Sequence, residues 1–399
     1  MKTDLILDLR LILGTGLLIL LGAFSLMLIS RIRQRREQMN SVENAAPTYP
    51  YPYKAVSEFG AGELPQTRDE RGALIDQAYA QWLGSFLLPD AEAGRAFVRT
   101  GIDRHRLRYQ LTANSFAQAA GMLVCTLRAG ADPLAQTRFD ALLAFCLSRP
   151  SANNPDLMSW QVLPDVVPGA RLDADPRAEA WLAFALLCAA AQWTRSSRFD
   201  YAQLAEQRLD AQLKWMNAEN RGSLDTRIIP PAFSWLFWRV SGNDGWLNAA
   251  APKKPRRGAQ TNRAGTTAEE AGMPDAETQR VILALGLGML PETSRPEVSS
   301  GFGPDLGTCL EDLRTRLDEA GADDGGEQAL FSPLSRLACC AAAAASFGGV
   351  ELSRAYWETL SQTQARTGDG LGATLRLLAM MALNGNIWFD QALGEVAAD

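Results

Sequence analysis

Residues 178–193 have the sequence AEAWLAFALLCAAAQW, a long Ala/Leu-rich stretch without glycine or proline. Alanine and leucine have high helix propensity, so this stretch predicts an α-helix. Ten more segments of the same kind lie along the chain, separated by turns rich in Gly, Pro, Asp and Asn. They are Gly72–Leu88, Ser115–Ala129, Pro133–Leu147, Tyr201–Met216, Pro231–Val240, Glu277–Leu290, Leu306–Ala320, Ser332–Phe347, Ser353–Thr363 and Gly370–Leu383.

The spacing of the apolar residues supports the helical assignment. In Tyr201–Met216 they recur at steps of three and four, as at Ala205, Leu209 and Leu213, among polar neighbours. No alternating run of β-branched residues is long enough for a main sheet. The sequence therefore predicts an all-α domain, and this periodicity fits both a ring of helical hairpins and an irregular bundle.

The overall composition limits the partners and the chemistry. A formal net charge of -6 and a pI near 5.2 argue against nucleic acid, which binds to a basic face. The six cysteines lie mostly in apolar stretches and form no CxxC pair, so we expect buried free thiols. The single histidine, His105, is expected on a surface loop and rules out a His-rich metal centre. We expect neither a metal nor a cofactor.

An apolar stretch near the N-terminus predicts a membrane anchor. Leu11–Ile29 carries no charged residue and, at about 1.5 Å rise per residue, is long enough to span a bilayer as a helix. Four arginines (Arg31, Arg33, Arg35 and Arg36) follow it where a signal peptide would have a small-residue cleavage site. We therefore expect an uncleaved, single-pass segment in the inner membrane. The same arginines favour the cytoplasm for the C-terminal flank.

These features divide the chain into three parts. Residues 1–37 are the predicted anchor, and residues 38–68 are a polar linker that contains APTYPYPY. The prolines make this linker semi-extended, because they fix φ. Residues 69–399 form the predicted helical domain.

Short motifs along the helical domain occur in a fixed order. They are Trp82, Gly94-Arg95, TANSFAQAAGM (Thr112–Met122), MSWQV (Met158–Val162), AEAWLAFALLCAAAQW (Ala178–Trp193), TRIIPPAF (Thr226–Phe233), DAETQRVILALGLGMLP (Asp275–Pro291) and LRLLAMMALNGNIWF (Leu375–Phe389). Their order and spacing resemble glycoside hydrolase family 8, especially the periplasmic cellulase encoded with bacterial cellulose synthase. The resemblance covers residues 82–389 and implies an (α/α)6 barrel, a toroid of six helical hairpins, with a groove for a β-linked glucan.

The resemblance also implies a damaged active site. Inverting hydrolysis needs a carboxylic acid that protonates the leaving oxygen and a carboxylate that activates water. The family's acid, the Glu of its SEGQ motif, matches Phe116, and a phenyl ring cannot donate a proton. Two further family carboxylates match Glu179 and Glu277, with Asp275 as a second candidate beside the latter. Loss of a general acid typically costs about 10²–10⁴-fold in rate.

The substrate-binding residues that the resemblance implies are Trp160, Trp181, Gln118 and Arg280. For the tryptophans, a place in the hydrophobic core is the structural alternative to stacking on a sugar.

The carboxylates have structural alternatives as well. Glu179 could be a solvated acid near a helix N-terminus, where the helix dipole favours negative charge, and Glu277 could cap a helix. Glu58, in the linker sequence VSEFGAGE, would restore a SEGQ-like acid. It precedes the Trp82 helix, however, and no apolar helix of the required kind follows it.

Three functional hypotheses remain open. The first is a catalytically inactive, membrane-anchored protein that binds a β-linked polysaccharide, or subunits of an exopolysaccharide synthase, in a system such as cellulose synthesis. The second is an active endo-β-glucanase that cleaves β-1,4-linked glucan. The third is a membrane-tethered scaffold that keeps only the fold. The family resemblance places the domain in the periplasm, whereas the arginines and the free thiols favour the reducing cytoplasm.

Overall fold

The computed structural model describes residues 46–53, 64–105, 108–163, 172–193, 196, 198–218, 229, 231–250, 310–311, 314–315, 332–347 and 349–389. All of them belong to the compact unit Ala45–Asp399. The predicted anchor, Leu11–Ile29, lies outside the described residues. Among the helices that are described, none is long and apolar enough to cross a membrane.

Ten helices of the described residues have defined bounds. They are α1 (Arg68–Ser85), α2 (Ser115–Leu127), α3 (Ala135–Leu147), α4 (Pro176–Gln192), α5 (Tyr201–Ala218), α6 (Pro231–Ser241), α7 (Gly245–Ala250), α8 (Pro333–Phe347), α9 (Gly349–Gln362) and α10 (Gly370–Leu383). The predicted helices in these ranges are confirmed, with boundaries that shift by a few residues. The short helix α7 was not predicted. The predicted helix Glu277–Leu290 lies outside the described residues.

The helices pack in two layers. Neighbouring helices α8, α10, α2 and α4 form the inner layer, and every residue of α2 and α10 is buried. Helices α9, α1, α3 and α5 pack against these inner helices in the same order from the outside. The first described helix, α1, thus packs against the outer side of the last one, α10. This alternation of inner and outer helices is what a toroid of helical hairpins requires; its closure into six hairpins stays a prediction.

Side-chain caps fix where several helices begin. Thr67 and Glu70 form a capping box at the start of α1. Asn114 and Asp369 each accept a backbone N–H from the first turn of α2 and α10. Asp175 does the same for α4, with proline at the following position. The inner helices α2, α4 and α10 therefore all begin at a polar cap.

Five short strands accompany the helices. They are β1 (Leu87–Pro89), β2 (Ala96–Val98), β3 (Gly101–His105), β4 (Arg108–Asn114) and β5 (Gln161–Val162). Strands β1 and β2 pair antiparallel, and β3, β4 and β5 form a second antiparallel sheet in that order. The prediction that no main sheet exists is compatible with these ribbons, but the prediction of a loop at His105 is wrong, because this residue ends β3. Strand β4 runs directly into α2.

Part of the predicted linker is packed on the core. Tyr49 stacks on Trp388 with ring centroids 4.6 Å apart, and Tyr51 is 8% exposed. The Gln192 amide binds both the N–H and the carbonyl of Tyr49, at 2.8 and 3.0 Å. The Tyr53 carbonyl accepts hydrogen bonds from Arg68 and Asn386. Residues 46–53, called the strap below, therefore belong to the domain. They follow no helical period, and their partners are distant in sequence.

The strap crosses the C-terminal ends of three inner helices. Gln192 ends α4, Ala129 follows α2, and Asn386 follows α10. The Tyr51 N–H donates to the Ala129 carbonyl at 2.7 Å, in addition to the contacts above. The described cysteines are all buried, as predicted, and Cys125, Cys146 and Cys188 are free thiols.

Candidate functional site

The N-terminal ends of the inner helices converge at the side opposite to the strap. Asp369, the cap of α10, accepts a hydrogen bond from the Ser332 hydroxyl just before α8. Gly370 at the start of α10 lies against the Arg99 carbonyl, and the neighbouring Val98 pairs with Gln118 in the first turn of α2. The Phe116–Trp181 contact, described next, joins the start of α2 to α4 at this end.

Phe116 lies in the first turn of α2 and is 2% exposed. Its ring meets the Trp181 ring edge-on, with centroids 5.4 Å apart and an interplanar angle of 83°. Trp181 is itself 1% exposed and also contacts Phe184 and Phe233. Trp181 therefore lies in the hydrophobic core, which was the structural alternative to stacking on a sugar. The acid position of the resemblance is filled by an apolar ring packed between helices.

Glu179 is fully buried in the first turn of α4. One carboxylate oxygen accepts the Met158 N–H at 2.9 Å, and the other pairs with the buried Arg208 guanidinium of α5. Burial raises the pKa of Glu179 above its usual value, while the charge of Arg208 opposes this rise. The alternative of a solvated helix acid is wrong for Glu179. Both carboxylate oxygens are therefore bound within the protein.

Trp160 is the predicted site residue that reaches solvent among those described. Its side chain is 38% exposed, although the backbone around it is held tightly. The Ser115 N–H at the start of α2 donates to the Trp160 carbonyl at 3.0 Å, and the Trp160 N–H donates to the Asp173 carbonyl at 2.9 Å. An exposed aromatic side chain on a fixed backbone can offer a flat apolar face to a ligand. Trp160 therefore lies directly beside the position of the family acid.

Gln118 has a structural place. Its amide oxygen accepts the Val98 N–H at 2.8 Å, and its amide nitrogen donates to the Val98 carbonyl at 3.0 Å and to the Asn114 carbonyl at 3.2 Å. The side chain is fully buried. Gln118 thus joins β2 to α2 and, in this arrangement, has no donor left for a substrate. The other predicted site residues (Asp275, Glu277 and Arg280) lie outside the described residues.

Sequence reasoning missed Arg208 and Asp369. Arg208 lies in a polar stretch of α5, and only its contact with Glu179, 29 positions away, reveals its burial. Asp369 precedes the glycine that starts α10, an Asp-Gly pair that could have been recognised as a helix cap. Burial raises the pKa of Asp369, and its hydrogen bond from Ser332 opposes the rise.

Solved structures of other proteins share this architecture. A β-1,3-1,4-glucanase from Paenibacillus sp. X4 superposes with a TM-score of 0.63 at 17% identity, over 86% of this chain and all of that one. A cold-adapted family 8 xylanase, solved with its substrate, gives a TM-score of 0.57 at 18% identity over 88% of this chain and 98% of its own. The chain has a glycoside hydrolase family 8-like fold.

Curated relatives of the family 8-like chain are more similar in sequence but match less of it. An endoglucanase from Bacillus sp. (strain KSM-330) is 28% identical over an alignment of 189 positions that covers 44% of this chain and 41% of the relative. A β-glucanase from Niallia circulans is 27% identical over 169 residues, 42% of this chain and 39% of the relative. The chain thus matches about two fifths of the length of these relatives. No protein-family model matches it.

Inverting hydrolysis sets a geometric requirement for the family 8-like site. That reaction needs two carboxyl groups about 6.5–9.5 Å apart, with room for the bond and a water between them. At this end, Glu179 is held by Arg208, Asp175 caps α4, and Asp369 caps α10. No group of three or more His, Cys, Asp or Glu side chains that could hold a metal occurs among the described residues. What this end offers instead is an aromatic surface at Trp160.

Proposed function

We propose that this protein is a membrane-anchored, catalytically inactive relative of family 8 glycoside hydrolases that binds a β-linked glycan in a bacterial exopolysaccharide system. Leu11–Ile29 is its anchor in the inner membrane, and the helical domain lies in the periplasm. A synthase subunit of that system is a further partner in this proposal.

The observation that carries the proposal is the Phe116–Trp181 contact. At the position where the resemblance requires a proton donor, an apolar ring is 2% exposed and packed edge-on against another ring. Glu179, the second expected carboxyl, is committed to Arg208 and to the Met158 N–H. The fold and the aromatic surface at Trp160 are retained, which supports binding without cleavage.

The decisive experiment measures binding and cleavage on the same preparation. The full chain, purified in mild detergent, is titrated with cellohexaose and with mixed-linkage β-1,3-1,4-glucan, and the release of reducing ends is followed in parallel. We expect binding without release. We also expect Trp160→Ala to weaken binding at least about tenfold, equivalent to 1.4 kcal/mol. Leu247→Ala is the matched control, because Leu247 is an equally exposed apolar side chain on α7.

A second candidate is an active endo-β-glucanase, favoured by the names of the curated relatives, an endoglucanase and a β-glucanase. The resemblance assigns its carboxylates to Glu179 and Glu277, with Asp275 as a second candidate beside the latter. The proton donor would come from elsewhere in the chain, since Phe116 has no proton to donate. Release of reducing ends by the unaltered chain, abolished by Glu277→Gln, would establish this candidate and overturn the inactive one.

The proposed location is tested separately. A cysteine introduced at the exposed Glu206 of α5 is labelled with a membrane-impermeant maleimide, with the unaltered chain as the background control. Labelling once only the outer membrane is permeabilised would support a periplasmic domain. Labelling that requires disruption of the inner membrane would place the domain in the cytoplasm and favour the scaffold hypothesis.

A further inference from the structure

We propose that the buried Glu179–Arg208 pair is a positioning element for Trp160, so that glycan affinity depends on two residues that do not touch the glycan. This inference rests on the proposed function of Trp160 as the binding surface. It gives Glu179, one of the two carboxylates that match the family pattern, a role in positioning the binding surface.

Hydrogen bonds to neighbouring loops shape the segment Met158–Trp160, which carries the Trp160 ring. The Ser159 N–H donates to the Arg149 carbonyl at 2.9 Å, and the Ser159 hydroxyl reaches the carbonyls of Pro150 and Leu172. The Trp160 N–H binds the Asp173 carbonyl. These bonds join loop segments to one another. They give the segment its shape without fixing it to the inner helices.

Two hydrogen bonds do fix it to the inner helices. At one, the Ser115 N–H of α2 donates to the Trp160 carbonyl at 3.0 Å. At the other, two residues earlier, the Met158 N–H donates to Glu179 of α4 at 2.9 Å. Met158 is fully buried, so water cannot replace this carboxylate as the acceptor. If the Met158 bond is lost, the segment is still held on its C-terminal side by the Ser115 bond and by the pairing of β5 with β4. It loses its tie to α4 on the N-terminal side of Trp160, so the Trp160 ring can shift.

Arg208 keeps the Glu179 carboxylate in place. The Glu179 side chain is fully buried and that of Arg208 is 4% exposed, so each charge depends on the other. Arg208 binds the oxygen that Met158 does not use, which fixes the orientation of the carboxylate plane. Arg208 of α5 thereby fixes the Glu179 carboxylate of α4, and this carboxylate in turn holds Met158, two residues before Trp160.

The length of the glutamate side chain supports this role. The resemblance matches Glu179 to the last aspartate of a DAD motif in family 8, one methylene shorter, and the additional methylene gives the carboxylate a longer reach from α4 toward Arg208. Glu179→Asp is therefore a sharp test, since it keeps the charge and the residue class but shortens the reach. If Glu179 only balanced the charge of Arg208, Glu179→Asp would leave the position of Trp160 unchanged. If Glu179 positions the Trp160 segment, the shorter side chain would shift it.

The experiment uses the full chain in detergent and two independent readouts. Single removal of Arg208 leaves a buried unpaired charge, so the informative variants are Glu179→Asp and the neutral double variant Glu179→Gln/Arg208→Met. Tyr79→Phe is the matched control, because it deletes one partly buried hydrogen bond, to Asp132, away from the Trp160 segment. The readouts are the dissociation constant for cellohexaose and the fluorine NMR signal of 5-fluorotryptophan at position 160, assigned with Trp160→Phe.

We expect both informative variants to weaken cellohexaose binding about five- to thirtyfold and to shift or broaden the Trp160 signal. The Tyr79→Phe control should lose stability with neither effect. An unchanged Trp160 signal in both informative variants would overturn the inference, even if they are less stable. If the unaltered chain binds no glycan, the proposed function fails, and the NMR signal still decides whether the pair positions Trp160.

Discussion

The Phe116 ring meets the Trp181 ring edge-on at a centroid distance of 5.4 Å, joining the first turn of α2 to α4 at the position where family 8 carries its acid. This contact changes what the simplest restoration experiment means. A glutamate placed at position 116 would enter an apolar, water-excluded site rather than an open groove.

We predict that Phe116→Glu destabilises the fold by about 3–5 kcal/mol and yields no hydrolase activity. The aromatic packing is lost, and a carboxyl group is buried without a partner. Denaturant unfolding and reducing-end release from β-1,3-1,4-glucan are the measurements. Phe116→Leu, which keeps an apolar side chain, should cost only about 1–2 kcal/mol. Hydrolysis by a glutamate variant of normal stability would show that the groove is intact and lacks only its acid.

A second prediction concerns the buried ion pair. Arg208→Met should cost about 3–5 kcal/mol, because it leaves the Glu179 charge buried and unpaired. The neutral double variant Glu179→Gln/Arg208→Met should recover a large part of that loss. A double-mutant cycle from denaturant unfolding measures the coupling. A loss in the double variant equal to the sum of the losses in Glu179→Gln and Arg208→Met would mean that the pair contributes no coupling energy.

The same single variant should show a distinctive pH dependence. Burial already raises the pKa of Glu179, and the loss of Arg208 removes the positive charge that opposes this rise. A folded-state pKa above the unfolded value means that the folded protein binds the proton more tightly, so stability falls as pH rises between the two values. Arg208→Met should therefore gain stability relative to the unaltered chain as pH is lowered from about 8 to 5. A parallel pH profile for the two proteins would contradict this.

The sequence predicted the helical architecture because its signals are local. The bounds predicted for Gly370–Leu383 match α10 residue for residue, since an Asp-Gly cap and an Asn-Gly pair flank an unbroken apolar stretch. The α4 prediction began two residues late because the Asp175 cap and the following proline were not used. The strands near His105 carry no long alternation and were missed.

The contacts of the candidate site could not be predicted, because they depend on distant partners. Whether Glu179 is solvated or buried is decided by Arg208, which lies 29 positions away on another helix. The local sequence suggests core packing for Trp181, in its Ala/Leu-rich helix, but gives no measure of exposure for Trp160, which the fold leaves 38% exposed. The strap is held by Gln192, 143 positions further along the chain. Tertiary packing decides each of these cases.

We predict that the strap stabilises the domain through Gln192. Gln192→Ala removes hydrogen bonds to both backbone groups of Tyr49 and to the Thr126 carbonyl, and should cost about 2–3 kcal/mol because buried polar groups lose their partners. Denaturant unfolding of the full chain measures this. The same substitution at the exposed Gln203 of α5 should stay within about 0.5 kcal/mol. If the two variants are equally stable, the strap is not a stabilising part of the domain.

The start of α10 gives a last prediction, which also bears on the altered groove. The resemblance places a pair of tyrosines where this chain has Gly370 and Leu371. A Cβ at position 370 would lie 1.6 Å from the Arg99 carbonyl oxygen, so the backbone has closed into the space that a side chain would need. Gly370→Ala should therefore destabilise the domain by about 3 kcal/mol or more.

The control is Gly72→Ala in α1, where a Cβ meets nothing within 4 Å; it should instead stabilise the domain by about 0.5–1 kcal/mol. Thermal unfolding of both variants decides the matter: a well-tolerated Gly370→Ala would mean that this end of the domain can open far enough to admit the missing aromatic side chain.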